Sequence, residues 1–474
     1  MKIYRFDCKR EERVLTYEEF LKSKEFKIEP VGLDVELEDL HKTLFPFQKD
    51  IVKWALKRGK AAIFAGTGLG KTLMQLEWAR QVHERTSENI LILAPLAVAS
   101  QTAREGKKID VTVHLVRQDS DVQHGLNIAN YEILHKLDLS KFNGIVLDES
   151  SILKNFTGKV RNQIIDSFKD YDYKLACTAT PAPNDHMELG NHAEFLNIMS
   201  RTEMLSMFFV HDGGETQKWR LKGHAEDKFW EWVATWAVLI TKPSDLGYEN
   251  GEFDLPPLNL NEIVLKAEAQ EGHLIPVQAE TLSERRQARR QSLEERCQKA
   301  AELVNNTDRP FLVWCDLNDE SKRLTELIPD AVEVKGSDSA EHKEKAMLDF
   351  ADGNIRVLVT KPSIAGMGMN WQHCADMVFV GLSDSFEQVF QAIRRCWRFG
   401  QKNEVNAHIV ISELEGAVLA NIQRKEKDFQ KMIEGMVQFT KRITEKNIRS
   451  TSQEKSVYEG AMKIEIPSFL QGVN

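Results

Sequence analysis

Short apolar runs alternate with amphipathic stretches along most of this 474-residue chain. Amphipathic stretches with an apolar residue every three or four positions predict helices, whereas short continuous apolar runs between turn-forming residues are typical of strands buried on both faces. In the first half we predict strands at Ala61–Ala65, Asn89–Pro95, Val111–Val116, Gly125–Tyr131, Gly144–Leu147 and Lys174–Thr178. This pattern indicates an α/β domain built on a parallel sheet.

A second α/β pattern follows residues 243–260, which are rich in proline, glycine, asparagine and aspartate and predict a domain boundary. Beyond it we expect a long helix over Gln278–Val304, then strands at Pro310–Cys315, Val332–Val334, Ile355–Thr360 and Met377–Val380. The predicted fold class is therefore α/β, with two parallel-sheet domains in tandem and a helical connection. Its parts are an N-terminal extension (1–40), a first domain (41–245), a linker and helical connection (246–305), a second domain (306–440) that an amphipathic helix at 413–440 braces, and a polar tail (441–474).

Composition narrows the class of protein. With 42% hydrophobic and 28% charged residues the chain can bury several cores, and no apolar run suits a signal peptide or a membrane span. We therefore expect a cytoplasmic protein with no membrane partner. A net charge of −9 excludes a uniformly basic surface, so any nucleic acid must be held by a local basic patch or by backbone amides. Six scattered cysteines without a CxxC pair predict neither a disulfide framework nor a zinc site.

A glycine-rich loop, AGTGLGKT, joins the first predicted strand to a predicted helix. Its glycines allow backbone N–H groups to turn toward a phosphate, although Ala65 stands where the general pattern has glycine. Lys71 supplies a cation for the terminal phosphates, and Thr72 places a hydroxyl where Mg²⁺ would lie. The residues predicted to contact the nucleotide here are Gly66, Thr67, Gly68, Leu69, Gly70, Lys71 and Thr72.

Polar side chains follow two later strands. Asp148 and Glu149 come directly after the buried strand Gly144–Leu147, at the end where open α/β sheets place ligands. We expect Asp148 to hold Mg²⁺ and Glu149 to take a proton from attacking water. Thr178 and Thr180 follow another strand, where their hydroxyls would relay between the nucleotide site and a partner or cap the next helix.

Basic residues form three groups with two interpretations each. Arg395 and Arg398 are three apart and share one face of a predicted helix, as surface charge or as arginine fingers that reach the γ-phosphate from the other domain. Alternation of basic and aromatic residues in the predicted loop 211–224, and arginines on the predicted helix 278–304, suit a nucleic-acid backbone or an ordinary solvated surface. The candidate nucleic-acid contacts are Lys218, Trp219, Arg220, Arg285 and Arg289.

Taken in order, nine segments resemble the motif series of superfamily 2 helicases: FPFQ, AGTGLGKT, LILAPLAVASQ, NIANYEIL, LDES, CTATPAPN, FLVWCDLN, LVTKPSIAGMGMNW and QAIRRCWRFGQ. The endings AGxGxN and RxxRxGQ resemble the Snf-type, chromatin-remodeller-like branch in particular. The resemblance covers Phe45 to Gln401. The compact size with the HDGG and KPSDLG stretches resembles phage-encoded members, which implies the cytoplasm of a bacterium or a phage-infected host cell.

The resemblance implies two RecA-like domains with ATP and Mg²⁺ between them. It implies that Gln48 reads the adenine, that Gly368 and Asn370 line the second-domain side, that Arg395 and Arg398 act as fingers, and that the stretch from Thr178 to Pro181 couples hydrolysis to movement. The chain departs from the branch in two places. LDES replaces the usual DEAH-type ending, which bears on coupling to the partner domain, and Arg394 stands where an acidic residue is frequent.

The leading hypothesis is an ATP hydrolase that moves on duplex DNA, with sequence preference supplied by a protein partner or by small insertions. One alternative keeps the same ATP site but separates DNA strands or remodels RNA, because such proteins contact phosphates and sugars rather than base edges. A second alternative, from another class, is an ATP-controlled scaffold with negligible turnover.

Overall fold

The computed structural model describes residues 31–95, 98–154, 158–182, 185–211, 219–266, 290–366, 369–382 and 385–449. The strands are β1 (Lys60–Ala65), β2 (Ile90–Ala94), β3 (Val113–Val116), β4 (Leu126–Asn130), β5 (Gly144–Asp148), β6 (Tyr173–Thr178), β7 (Phe209–His211), β8 (Trp219–Leu221), β9 (Ala237–Ile240), β10 (Leu258–Leu265), β11 (Phe311–Cys315), β12 (Ala331–Val334), β13 (Val357–Thr360), β14 (Asp376–Val380) and β15 (Val405–Ser412). The α-helices are α1 (Pro46–Arg58), α2 (Lys71–Thr86), α3 (Ala99–Gly106), α4 (Lys159–Ser167), α5 (Leu189–Phe195), α6 (Arg201–Phe208), α7 (Glu226–Trp236), α8 (Leu293–Asn305), α9 (Asn318–Leu327), α10 (Ala340–Ala351), α11 (Pro362–Ala365), α12 (Phe386–Ile393) and α13 (Gly416–Arg449).

The first half is a seven-stranded sheet in the order β3-β4-β2-β5-β6-β1-β9. All of its strands are parallel, and β2 and β5 are buried along their whole length, as their unbroken apolar runs predict. Because parallel strands end at the same edge, the carboxyl ends of β5, β6, β1 and β9 are neighbours. Three predicted groups therefore meet at one edge of the first sheet: the glycine-rich loop, the Asp148–Glu149 pair, and residues 178–180, which we call the threonine segment.

The second half is a six-stranded parallel sheet in the order β10-β15-β14-β11-β13-β12. Each half has its own apolar core, in which α2 packs on the first sheet and α8 and α9 pack on the second. The predicted α/β class, with two parallel sheets in tandem, is confirmed.

Three strands at or near the edges of the two large sheets were not predicted. The tryptophan-rich segment is a helix only to Trp236, and the next four residues form β9 beside β1. No turn former separates the helix from this strand, so the pattern carried no boundary. Strand β10 lies inside the predicted linker 246–305, where alternate residues are exposed, and it pairs with the equally unexpected β15. The tryptophans themselves, Trp230, Trp232 and Trp236, are buried core residues.

The helix predicted at 413–440 was expected to brace the second domain, and this expectation is wrong. Helix α13 runs from Gly416 to Arg449 and packs mainly against α7, β9 and α1 of the first half. Its buried side chains include Val418, Leu419, Ile422, Ile433 and Met436. It also continues into the predicted polar tail. An amphipathic pattern indicates that a face is buried but does not specify which surface covers it.

Among the described helices, including α13, we find none with both the length and the apolar character needed to cross a membrane.

Candidate nucleotide site

The glycine-rich loop between β1 and α2 is held in a conformation that requires glycine. Gly68 and Gly70 have φ of 92° and 78°, in the left-handed region. A Cβ on Gly68 would lie 2.8 Å from the backbone nitrogen of Phe399, and one on Gly70 would lie 2.3 Å from Nε2 of Gln48. The loop of the first half is therefore in direct contact with residues 395–399 of the second half, which we call the arginine segment.

Lys71 turns its side chain back over this loop. Its Nζ donates hydrogen bonds to the carbonyl oxygens of Ala65 at 2.9 Å and Gly66 at 3.5 Å. Burial lowers the pKa of Lys71, and the nearby carboxylates of Glu149 and Asp148 partly oppose that shift. Because its hydrogen-bond acceptors are neutral, the lysine can transfer to an anion without breaking an ion pair.

Asp148 and Glu149 leave the end of β5 in a strained turn. Glu149 has φ of 54°, uncommon for a non-glycine residue, and its N–H donates to Oδ1 of Asp148 at 3.1 Å. The hydroxyl of Tyr131 donates to the carbonyl oxygen of Asp148 at 2.7 Å and so supports the same turn. Burial, together with the neighbouring Glu149 charge, raises the pKa of Asp148 to about 6. A cation at this position would relieve the crowding of negative charge.

The two predicted relay threonines lie between this turn and the second half. The hydroxyl of Thr178 donates to Oε2 of Glu149 at 3.3 Å, and it accepts the N–H of Thr180 at 3.1 Å. The hydroxyl of Thr180 donates to Oε1 of Glu387 in α12 at 3.4 Å. Both hydroxyls thus act in tertiary contacts. Their relay role stays a prediction.

Arg395 and Arg398 do not share a helical face, because α12 ends at Ile393 and both residues lie in the turn beyond it. The N–H of Trp371 donates to the carbonyl oxygen of Arg395 at 2.9 Å, a tertiary bond that local periodicity cannot reveal. The two guanidiniums nevertheless converge, because Nη1 of each donates to the carbonyl oxygen of Met369 at 3.2 Å.

These guanidiniums have only neutral acceptors. Arg395, 3% exposed, also donates to the backbone and side-chain oxygens of Gln391 at 2.9 and 3.0 Å. Within the described ranges neither arginine makes a salt bridge, and burial lowers the pKa of Arg395 and brings that of Arg398 to about 9. The carboxylate of Glu149 partly opposes this lowering for both arginines, and that of Glu105 does so for Arg398, but among the described residues no carboxylate forms a salt bridge with either.

The predicted residues of both halves surround one cavity of about 260 Å³. The predicted residues that line it are Gln48, Thr67, Gly68, Gly70, Lys71, Thr72, Asp148, Glu149, Asn370, Arg395 and Arg398. Gly66 and Leu69 belong to the loop without lining the cavity, and Gly368 lies outside the described residues. The site that the sequence placed between two domains is thus assembled from both.

Gln48, the predicted adenine reader, is engaged by backbone groups. It is buried, its Oε1 accepts the N–H of Phe45 at 2.9 Å, and its Nε2 donates to the carbonyl oxygen of Leu69 at 2.9 Å. The side chain therefore closes the start of α1 and fastens the glycine-rich loop. Its role toward adenine stays a prediction.

Several residues at the cavity were not singled out from the sequence. Phe253 packs its ring 4.7 Å from that of Phe399 and 5.0 Å from that of Phe45, which forms an aromatic wall beside Gln48. Gln101 and Phe399 lie inside segments that the motif series contains, so the signal was available. Phe253 lies in the predicted linker, where no motif marks it.

The residues present fit a polyanionic ligand with a metal ion. Around the cavity, several buried polar atoms of described residues have no hydrogen-bond partner: Thr67 Oγ1, Gln101 Oε1, Thr102 Oγ1, Asn370 Oδ1 and Gln372 Oε1. Lys71 and the two arginines add positive charge, and Asp148 with Thr72 offers the oxygen ligands that Mg²⁺ prefers. A nucleoside triphosphate with Mg²⁺ matches this set of groups.

Of the five predicted nucleic-acid contacts, the two that the structure describes, Trp219 and Arg220, do not line this cavity. Trp219 and Arg220 belong to β8, which pairs antiparallel with β7, so the predicted loop 211–224 contains residues of a two-stranded sheet. Arg220 is exposed and Trp219 is half-buried. Lys218, Arg285 and Arg289 lie outside the described residues. A role in nucleic-acid binding stays a prediction for all five.

Two family models match the chain. One, described as an SNF2-related domain, matches residues 47–209, and the other, described as a helicase conserved C-terminal domain, matches residues 295–400. The first spans the glycine-rich loop, the acidic pair and the threonines. The second spans the arginine segment, so the two matches meet at the cavity.

Curated relatives share part of the chain. It is 28% identical over 174 residues to "SWI/SNF-related matrix-associated actin-dependent regulator of chromatin subfamily A-like protein 1" of Xenopus laevis. That match covers 34% of this chain and 18% of the relative. It is 22% identical over 439 residues to "DNA annealing helicase and endonuclease ZRANB3" of Mus musculus, which covers 83% of this chain and 41% of the relative. The chain thus spans less than half the length of either relative.

Among solved structures, the chain resembles the "Sulfolobus solfataricus SWI2/SNF2 ATPase core in complex with dsDNA". The sequence identity is 16% and the TM-score is 0.41. The alignment covers 88% of this chain and 99% of that one.

Proposed function

This chain belongs to the Snf-type branch of the superfamily 2 helicases, and from that premise we propose that it hydrolyses ATP between its two RecA-like halves and moves along duplex DNA. One observation carries the proposal. Two arginines of the second half, which form no salt bridge with any described residue, face the same cavity as the glycine-rich loop and the acidic pair of the first half. A ligand with several negative charges would be held by both halves at once.

Each residue of the first half has a role that its position supports. Lys71 would leave the loop carbonyls to contact the terminal phosphates. Thr72 and Asp148 would hold Mg²⁺, which supplies positive charge to the phosphate oxygens when bound. Glu149, held by Thr178, would orient the attacking water and take its proton. The support for this assignment is the convergence of these side chains at the carboxyl ends of β1, β5 and β6.

Arg395 and Arg398 make the reaction depend on closure of the two halves. Their charge would stabilise the negative charge on the phosphate oxygens in the transition state, and they reach that position only while the arginine segment contacts the loop. Product release would let the halves open. Alternate closure and opening would change the grip on the duplex once in each cycle, which is the basis of the proposed translocation.

The first experiment is steady-state ATP hydrolysis at low salt, with duplex DNA, single-stranded DNA and RNA added separately. We expect strong stimulation by duplex DNA and a near-complete loss in a Lys71→Ala control that keeps its melting temperature. Stimulation by single strands or RNA alone would replace duplex translocation with strand separation or RNA remodelling. Absence of hydrolysis under every condition would overturn the proposed activity in favour of a scaffold.

Movement needs a second measurement, because hydrolysis alone does not show it. A third strand annealed to a duplex is displaced by a protein that tracks along the duplex, whereas a partial duplex with a labelled strand reports strand separation. We expect ATP-dependent release of the third strand without release of the labelled strand. The opposite result would contradict the translocation proposed here.

A further inference from the structure

A polar cluster outside the nucleotide cavity joins the two halves. Glu387, in the first turn of α12, is 7% exposed, and both of its carboxylate oxygens face groups of the first half. Oε2 forms an ion pair with Nζ of Lys154, and Oε1 accepts a hydrogen bond from the hydroxyl of Thr180 at 3.4 Å. None of these groups lines the cavity. We call the three residues the bridge cluster.

On the first-half side, the bridge cluster is fixed to the acidic pair. Lys154 ends the 3₁₀ turn Ser150–Lys154, which begins directly after Glu149. Buried residues of α5 anchor this turn at both ends. The hydroxyl of Ser150 and Nε2 of His192 are hydrogen bonded at 3.0 Å, and the amide of Asn191 donates to the carbonyl oxygen of Lys154 at 3.3 Å. The position of Lys154 therefore follows that of Glu149.

On the second-half side, the same cluster is fixed to an arginine. Gln391 lies one helical turn after Glu387 in α12, and it accepts two hydrogen bonds from the guanidinium of Arg395. Helix α12 has eight residues and is largely buried, so it moves as a unit. A displacement of Glu387 would therefore displace Arg395 as well.

We propose that Glu387 is a positioning residue, which sets Arg395 against the nucleotide only when the acidic turn and the threonine segment are in place. The inference rests on the proposed function. Opening of the halves would separate the Glu387 carboxylate from Lys154 and Thr180, so the ion pair and the hydrogen bond exist only while the halves are closed. Formation of the bridge cluster is therefore coupled to closure. The chain lacks the DEAH-type ending at this turn, and Lys154 supplies a contact to α12 from the same turn.

The test uses Glu387→Gln and Lys154→Met in the full chain. Glu387→Gln keeps an acceptor for Thr180 but removes the charge, and Lys154→Met keeps the length of the side chain without its charge. Because a misplacement of about 1 Å can cost on the order of 100-fold in rate, we expect kcat to fall by about 10- to 100-fold. The KM for ATP should stay within about twofold, since the loop and Lys71 are untouched.

A matched control is Lys141→Met, which removes a first-half lysine whose ion pair with Asp119 lies outside both the cavity and the bridge cluster. It should keep kcat within about twofold. The double variant Lys154→Met with Glu387→Gln should be no slower than the slower single variant, because both changes remove one interaction.

Several results would overturn the inference. They are an unchanged kcat in either single variant, multiplicative losses in the double variant, or the same loss in Lys141→Met. Melting temperatures separate a folding defect from a positioning defect, and if Glu387→Gln fails to fold, Lys154→Met decides alone. Wild-type hydrolysis is measured first. If the wild type does not hydrolyse ATP, the proposed function is wrong. If the wild type hydrolyses ATP and the kcat of both single variants is unchanged, only this inference is wrong.

Discussion

Two buried arginines of the second half differ in what balances their charge. Arg296 is fully buried, and its guanidinium lies 2.8 Å from a carboxylate oxygen of Glu320 and 3.5 Å from one of Glu415. Arg395 is almost as buried, yet its acceptors are backbone carbonyls and a side-chain amide oxygen. The first arginine is neutralised inside the fold, whereas the second faces a cavity and forms no salt bridge with any described residue.

The comparison teaches how to separate a structural arginine from one that binds a ligand. Burial of a charge is costly unless an opposite charge and hydrogen bonds compensate it. Glu320 and Glu415 provide that compensation for Arg296, so its contribution is to the fold. Among the described residues Arg395 and Arg398 form no salt bridge, and burial lowers the pKa of both, an effect that the carboxylate of Glu149 opposes only in part. An anion from outside the protein would supply what is missing.

The largest effect on turnover is expected at the arginines that face the cavity. Arg398→Ala should lower turnover by about 1,000-fold, because loss of a finger removes charge stabilisation that exists only in the transition state. The melting temperature should stay near that of the wild type, since no salt bridge is lost. Steady-state hydrolysis and thermal melting measure the two quantities. The control is Arg323→Ala, at a partly exposed arginine of the same half that pairs with Glu294 outside the cavity. Near-normal turnover of Arg398→Ala would remove Arg398 from the site.

For the salt-bridged Arg296 we expect the reverse, a loss of stability with little change in turnover. Arg296→Met should lower the free energy of unfolding by about 3–5 kcal/mol, because it leaves the buried Glu320 carboxylate without its cation. Turnover, measured well below the melting temperature, should change by no more than a few-fold. Denaturation of the variant and the wild type under one condition provides the measurement. Equal stability of the two proteins would contradict the distinction between these arginines.

Much of the site could be predicted because its parts are local in sequence and converge through sheet topology. The glycine-rich loop, Asp148 and Thr178 each end a strand, and β1, β5 and β6 are close neighbours in the first sheet. Strand-end position in a parallel sheet is thus enough to bring them together. The arginine pair was also predicted from the sequence. Its predicted helical face is wrong, because α12 ends at Ile393 and the N–H of Trp371 donates to the carbonyl oxygen of Arg395 in the turn beyond the helix.

The remaining parts could not be predicted, because they rest on contacts between distant segments. Lys154 and Glu387 resemble ordinary surface charges in the sequence, and only the fold places them in contact across 233 positions. Phe253 likewise joins the aromatic wall from a segment that looks like a linker. Helix α13 shows the same limit, because its amphipathic pattern is equally compatible with either half.

A third buried basic side chain sharpens the comparison, because it can lose its proton where an arginine cannot. Burial lowers the pKa of His192 to about 4, from an ordinary value of 6.5, so the imidazole stays neutral beside Ser150. Between those two values the unfolded chain binds a proton that the folded protein excludes. Stability should therefore fall as pH drops from about 6.5 toward 4.

Between pH 7 and pH 5 this one histidine should cost on the order of 2 kcal/mol, at 1.36 kcal/mol for each unit of pKa difference. In His192→Gln, which keeps a hydrogen-bonding side chain but cannot take up a proton, the loss over this pH range should be smaller by that amount. Denaturant unfolding of both proteins at several pH values measures the difference. Because every other titrating group is common to the two proteins, parallel curves would show that His192 is not the buried neutral base described here.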